Sequence, residues 1–244
     1  RTEHGLEVSV CGIKEPFVFW LWSRAAGAAD NSRVFHQADV EDVSLQTRDD
    51  RLIRGYRLKA VADPGAPLET KGYLLVAQGN AMLADRILGE FTGFADAGLD
   101  VYVYDYRGYG RSGGSRRLKA MVSDYAEISN ALRDAGCARR FVYAMSFGGI
   151  ALLDGLASHG RLDRVVIDST PARLSTYGCP QEYDPVEHLP ADARNFLVIA
   201  GGNDRVVTPG MSRELVETAG ARGAGVFRDE AFAHPFMDAD RSVH

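Results

Sequence analysis

Several kinds of residue and pattern are scarce in this chain, and each scarcity excludes something. No apolar run approaches the ~20 residues that a helix needs to span a bilayer. The most apolar stretch is FVFWLW at residues 17–22, which reads as a packed strand or an interface segment, with a membrane-touching or anchor-proximal role as the alternative. Cysteine is sparse: Cys11, Cys137 and Cys179 are the three present, and no two stand at C-x-x-C spacing. Three cannot all pair internally. They read as small buried thiols, with a Cys11–Cys179 bridge left open. No H-E-x-x-H or paired-cysteine pattern offers a metal site, and no cofactor is expected. An excess of basic charge is also missing. The formal net charge is −5, whereas a nucleic-acid binder needs a basic face to meet phosphates. No internal repeat or low-complexity tract appears.

What remains is an ordinary globular composition, 45% hydrophobic and 25% charged over 244 residues. That length suits one large domain. Residues 1–35 form a segment of uncertain structure, with SRAAGAAD at 23–30 reading as loop; residues 36–244 form the domain. A chain that opens on Arg1 reads as processed or trimmed, and a removed segment is a place for a targeting signal or anchor.

From residue 39 onward the periodicity is clear. DVEDVSLQTRD and LIRGYRLKAV alternate apolar and polar residues, as antiparallel strands joined at Asp49-Asp50 do. GYLLVAQG, DVYVYDY, RFVYAM, DRVVIDST and NFLVIAGG are apolar runs of strands buried on both faces. Between them, LADRILGEFTGFADAG, LKAMVSDYAEISNALRDAG, GGIALLDGLASHG and GMSRELVETAGARG have helical spacing, and AGVFRDE is a last strand. Such alternation specifies an α/β fold: a mostly parallel sheet with helices on both faces. Ligands on such sheets bind beyond the carboxyl ends of the strands.

Residues with chemistry sit there. In Ala144-Met145-Ser146-Phe147-Gly148-Gly149, a serine lies between a strand and a helix with small residues around it. A strained strand-to-helix turn that presents a nucleophile needs that arrangement. A serine hydroxyl needs a base, and the base an orienting acid. Asp204 follows one strand end and His234 the next, in the order Ser, Asp, His. Asp168, also at a strand end, is the alternative acid. For a developing oxyanion, the N–H groups of Phe147 and Asn80 are the candidates, with Gln78 and Ala81 beside them as expected substrate contacts. Tyr177 or Tyr183, in the short insert 172–194, would wall the site; that insert is too small for a helical cap.

Gly108-Tyr109-Gly110-Arg111-Ser112-Gly113 also satisfies the G-x-G-x-x-G spacing of a dinucleotide loop. Its position in mid-domain and the delayed helix after it argue against that use. Arg111, Arg116, Arg117 and Lys119 form a basic cluster that reads as solvated loop.

QGNA, DYRGYGRSGG, AMSFGG, GGNDRVVTP and AHPFM together resemble the α/β-hydrolase superfamily, and within it the serine-aminopeptidase-like and BEM46-like hydrolases. The resemblance implies the α/β-hydrolase fold, with Ser146 as nucleophile, Asp204 as acid, His234 as base and Asn80 at the oxyanion position. Gln78 stands where the family has His, and Ala144 where it has Gly. The implied activity is hydrolysis of a small-molecule acyl substrate, ester or thioester, through an acyl-enzyme. An aminopeptidase-like amide hydrolase and a non-catalytic binding or scaffold protein on the same fold are the alternatives.

Overall fold

A computed structural model describes residues 5–34, 39–61, 70–135, 139–156 and 161–238. Eight strands form one sheet in the order β1-β2-β4-β3-β5-β6-β7-β8. They are β1 Val40–Gln46, β2 Leu52–Leu58, β3 Gly72–Ala77, β4 Leu99–Tyr104, β5 Arg140–Met145, β6 Arg164–Asp168, β7 Phe196–Gly201 and β8 Gly225–Asp229. β1 and β2 form an antiparallel hairpin, β2 pairs antiparallel with β4, and all remaining pairs are parallel. The expected mostly parallel sheet is therefore present, with every strand found where an apolar run or an apolar–polar alternation lies.

β3 shows why the runs are unbroken. All its residues are buried. Leu75 and Ala77 join the larger core and Leu74 and Val76 the smaller one, so alternate side chains feed opposite faces. The larger core is closed by α1 Glu15–Ala26, α4 Leu118–Asp134, α5 Phe147–Asp154 and α6 Pro209–Ala221. The smaller holds two short helices, α2 Ala84–Ile87 and α3 Thr92–Asp96.

Three expectations are corrected. FVFWLW is not a strand but the body of α1, and the helix also takes in Ser23–Ala26 of the supposed loop. Pro16 sits in its first turn, where a missing N–H costs nothing. Glu15 is buried there, accepting hydrogen bonds from the N–H groups of Val10 (2.6 Å), Cys11 (2.7 Å) and Leu118 (2.9 Å). Second, 83–98 is not one helix: α2, a 3₁₀ turn at Leu88–Phe91 and α3 follow one another. Gly89 and Gly93 lie in that stretch, and each weakens a helix by about 1 kcal/mol relative to Ala. Third, Cys11 and Cys179 are not free thiols but a disulfide, tying the start of α1 to the insert between β6 and β7. Cys137 lies outside the described residues.

Arg107 anchors the loop after β4. Its side chain is fully buried and hydrogen-bonded to Asp124 on α4 (2.9 Å and 2.5 Å) and to Asp49 in the β1–β2 turn (2.8 Å). A buried guanidinium needs such partners, because an unpaired one would be prohibitively desolvated.

Candidate active site

Ser146 lies between the last residue of β5 and the first of α5, with φ 52° and ψ −117°. That conformation is uncommon for a residue with a side chain and costs of order 1–3 kcal/mol, so the surroundings must hold it. They do so through the backbone. Ser146 N–H donates to the Asp168 carbonyl (2.8 Å), and its own carbonyl accepts from Gly149 N–H and Thr170 Oγ1 (both 3.1 Å). Small residues make the turn possible. A Cβ on Gly148 would overlap the Ala77 carbonyl, and one on Gly149 would overlap Thr170. Ala144 is fully buried in β5 opposite Ala77 and Ile167.

Asp204 and His234 come together from loops after β7 and β8. His234 Nδ1 is 2.8 Å from Asp204 Oδ2. Asp204 Oδ1 accepts from the N–H groups of Val206 and Val207 (both 2.8 Å). Burial pushes the Asp204 carboxyl up, but the bond from His234, its charge and the two backbone N–H groups outweigh burial and hold it below the usual carboxylate range. An ionised carboxylate only accepts, so the ring donates from Nδ1, and in the neutral imidazole Nε2 is the acceptor. Asp168, the alternative acid, is engaged elsewhere: it accepts from Tyr143 Oη (2.6 Å) and Ser169 Oγ (3.0 Å).

Ser146, Phe147, Asn80, Ala81 and His234 all line one cavity of about 590 Å³. Asn80 is steadied by its side chain, whose Oδ1 accepts from Tyr109 Oη (2.7 Å) and Ala81 N–H (3.0 Å). Gln78 does not reach the cavity. It is fully buried, and its Nε2 donates to the Met82 carbonyl (3.2 Å), which places it behind the loop and outside the cavity lining. Of the two tyrosines, Tyr177 lines the cavity and Tyr183 is buried away from it. The insert folds as three short 3₁₀ turns, with no helical cap.

The wall missed by sequence reasoning is α1. Lys14, Val18, Phe19 and Trp22 line the cavity from one helix face. Their spacing of four, one and three residues is helical, and Pro16 marks the helix start; the β-prone aromatics masked both signals. Phe19 packs edge-on against Phe147 with ring centres 5.5 Å apart.

The G-x-G-x-x-G loop holds no phosphate cradle. Its N–H groups are used internally: Gly108 to Gly113 O, Tyr109 to Tyr106 O, Ser112 to Tyr109 O and Gly113 to Leu52 O. Gly110 is required because a Cβ there would strike the Asp105 carboxylate. In the basic cluster, Arg111 pairs with Asp42 and lies over the Tyr56 ring, 4.7 Å from its centre.

Solved structures share this architecture. A Pyrococcus furiosus esterase superposes with a TM-score of 0.63 at 17% identity, over 88% of this chain and 86% of its own. A Thermogutta terrifontis esterase phosphorylated by paraoxon gives 0.64 at 15% identity, over 83% and 88%. The chain has the α/β-hydrolase fold. Within that hydrolase fold, residues 69–183 match the model of the serine aminopeptidase S33 family. A Mycobacterium tuberculosis protein described as uncharacterized, Rv2307c, is 27% identical over 195 residues, 73% of this chain. The matched stretch spans 66% of that relative's length. YfhR of Escherichia coli, also described as uncharacterized, is 26% identical over 56% of this chain and 49% of its own.

Proposed function

We propose that this α/β-hydrolase-fold protein is a serine hydrolase that cleaves a carboxylic ester or thioester of an apolar acyl group. One observation carries the reading. A strained serine between β5 and α5 opens on the same cavity as a histidine whose Nδ1 is held by a buried carboxylate at 2.8 Å.

His234 Nε2 takes the Ser146 proton as Oγ attacks the carbonyl carbon. The oxyanion rests on the N–H groups of Phe147 and Asn80. The tetrahedral intermediate collapses, and His234 returns the proton to the leaving oxygen or sulfur. Water, deprotonated by His234, then cleaves the acyl-serine by the same path. Asp204 fixes the imidazole tautomer and stabilises its charged form.

An apolar acyl group is favoured by the lining, which includes Val18, Phe19, Ile150, Leu174, Val207 and Met211. An aminopeptidase role would need a free anion for the substrate's α-ammonium group. Glu15 is the carboxylate in the lining, and three backbone N–H groups already occupy it. The test is a panel of p-nitrophenyl esters, acyl thioesters and aminoacyl amides. Ester or thioester turnover that vanishes in Ser146→Ala is expected. Turnover of the amides alone, or activity that survives the substitution, refutes the proposal.

A further inference from the structure

α1 has two apolar faces. One lines the cavity. The other has no partner among the described residues: Phe17, Trp20 and Leu21 are 62%, 46% and 50% exposed, and Ile13, just before the helix, is almost fully so. Phe17 and Trp20 stack on one another with centres 5.8 Å apart. The two faces meet at Trp22, which is both exposed and part of the cavity lining. Tyr177, Val206 and Met237 share that double character, so the cavity mouth is rimmed by exposed apolar side chains. Contiguous patches of this kind are rare on surfaces that face only water.

The exposed charges on α1 and at its start have one sign. Lys14, just before α1, and Arg24 on it are exposed; its acidic residue, Glu15, is buried under three N–H groups. The Glu15–Leu118 bond brings the start of α4 against the start of α1, and Lys14 on one side and Arg117 and Lys119 on the other are the chain neighbours of that bond. None of these four cations has a carboxylate partner among the described residues, whereas Arg33, Arg51, Arg57, Arg107, Arg111 and Arg173 all do. On a chain of net charge −5 this face is locally basic.

We infer that α1 seats the protein on an anionic lipid surface, with the cavity mouth opening toward that surface. Aromatic and leucine side chains on one face, with Lys and Arg at the margins, are the composition of a helix that lies in the interfacial plane. The aromatic rings enter the headgroup layer and the cations meet anionic headgroups. A second copy of the chain fits the patch less well, since it would bring like charges together. The placement gives the cavity a source of amphiphilic acyl compounds without requiring them to cross water. α1 does not span: no helix among the described residues is long and apolar enough to cross a membrane.

The protein carries its own probe. Its two tryptophans, Trp20 and Trp22, are both on α1. In Trp22→Phe, fluorescence reports on Trp20 alone. Titration with large unilamellar vesicles of phosphatidylcholine containing 30 mol% phosphatidylglycerol should shift its emission to the blue and sediment the protein. Phe17→Ser/Leu21→Ser in that background removes two exposed side chains, so the fold is expected to hold by circular dichroism. The vesicle partition constant should fall by roughly tenfold or more. Pure phosphatidylcholine, or 0.5 M salt, should weaken binding several-fold. Absence of any vesicle response overturns the inference, as does equal binding by the Ser variant. Self-association that the Ser variant disperses, without a vesicle response, assigns the patch to a second copy instead. No turnover is measured, so the result is independent of the hydrolase proposal.

Discussion

Replacing Gly148 by alanine tests how closely the serine turn must pack against the oxyanion loop. The added Cβ would overlap the Ala77 carbonyl at the end of β3 and lie 2.8 Å from the Gln78 carbonyl. Both obstacles are backbone, and β3 is the central strand paired on both sides, so neither yields cheaply. A close carbon–oxygen contact is about 3.3 Å, so α5 must back away by about 1 Å or more. Alanine improves helix propensity by about 1 kcal/mol. Overpacking in a tight interior costs about 1–3 kcal/mol, with backbone clashes at the upper end. The net expectation is a loss of about 1–2 kcal/mol in urea unfolding. The catalytic effect should be larger. Backing α5 away carries the Phe147 N–H from the Asn80 N–H, and a 1 Å misplacement costs on the order of 100-fold in rate. Gly113→Ala is the control, since the nearest atom to its Cβ is 3.6 Å away. The assay is kcat/KM on an ester substrate beside the urea midpoint. A Gly148→Ala protein with unchanged rate and midpoint would refute the packing account of the elbow.

Three further outcomes are expected. Asp204→Asn keeps the shape but presents an amide to His234, removing the preference for the Nδ1–H tautomer. Its kcat should fall by about 10⁴-fold with folding intact, and near-normal activity would exclude Asp204 as the orienting acid. Cys11→Ser/Cys179→Ser should lower stability by about 2–4 kcal/mol and free one wall of the cavity, read as a lower urea midpoint and a raised KM. Thiol labelling of the unreduced wild-type chain at Cys11 or Cys179 would contradict the bridge. Acid should unfold the protein partly through Asp49, which the Arg107 hydrogen bond holds down at about 2. Its unfolded value is about 3.9, so its contribution of about 2–3 kcal/mol is present above pH ~4 and lost as pH falls toward 2. Asp204 acts with the same sign. Asp124, pushed by burial up to about 6, acts oppositely between pH ~4 and 6. The loss between pH 4 and pH 2 should therefore be smaller in Asp49→Asn than in wild type.

The sheet was legible because the buried strands are largely apolar runs, three of which lead into a residue with chemistry: Ser146, Asp168, Asp204. Ser146 follows β5 directly, Asp168 ends β6 and Asp204 lies just past β7, so strand prediction placed them. α1 was not legible, since Phe17, Phe19, Trp20 and Trp22 favour strand locally and only tertiary packing of Phe19 and Glu15 makes the segment a helix. The Cys11–Cys179 pair joins residues 168 apart, a separation no local signal reports. Gln78 was read as a contact from its neighbours, but which side of a turn a side chain takes is set by what lies behind it, here Met82. The cavity lining from α1 and α6 was invisible for the same reason: it is assembled from segments distant in the chain.

The central claim is an activated Ser146, and the most direct measurement is its covalent capture. The folded protein is treated with a fluorophosphonate probe and the adduct located by peptide mass spectrometry. One probe per chain on Ser146, lost in Ser146→Ala and strongly slowed in His234→Ala, is the predicted result. Well-folded protein that takes up no probe, or takes it up at another residue, would contradict the account.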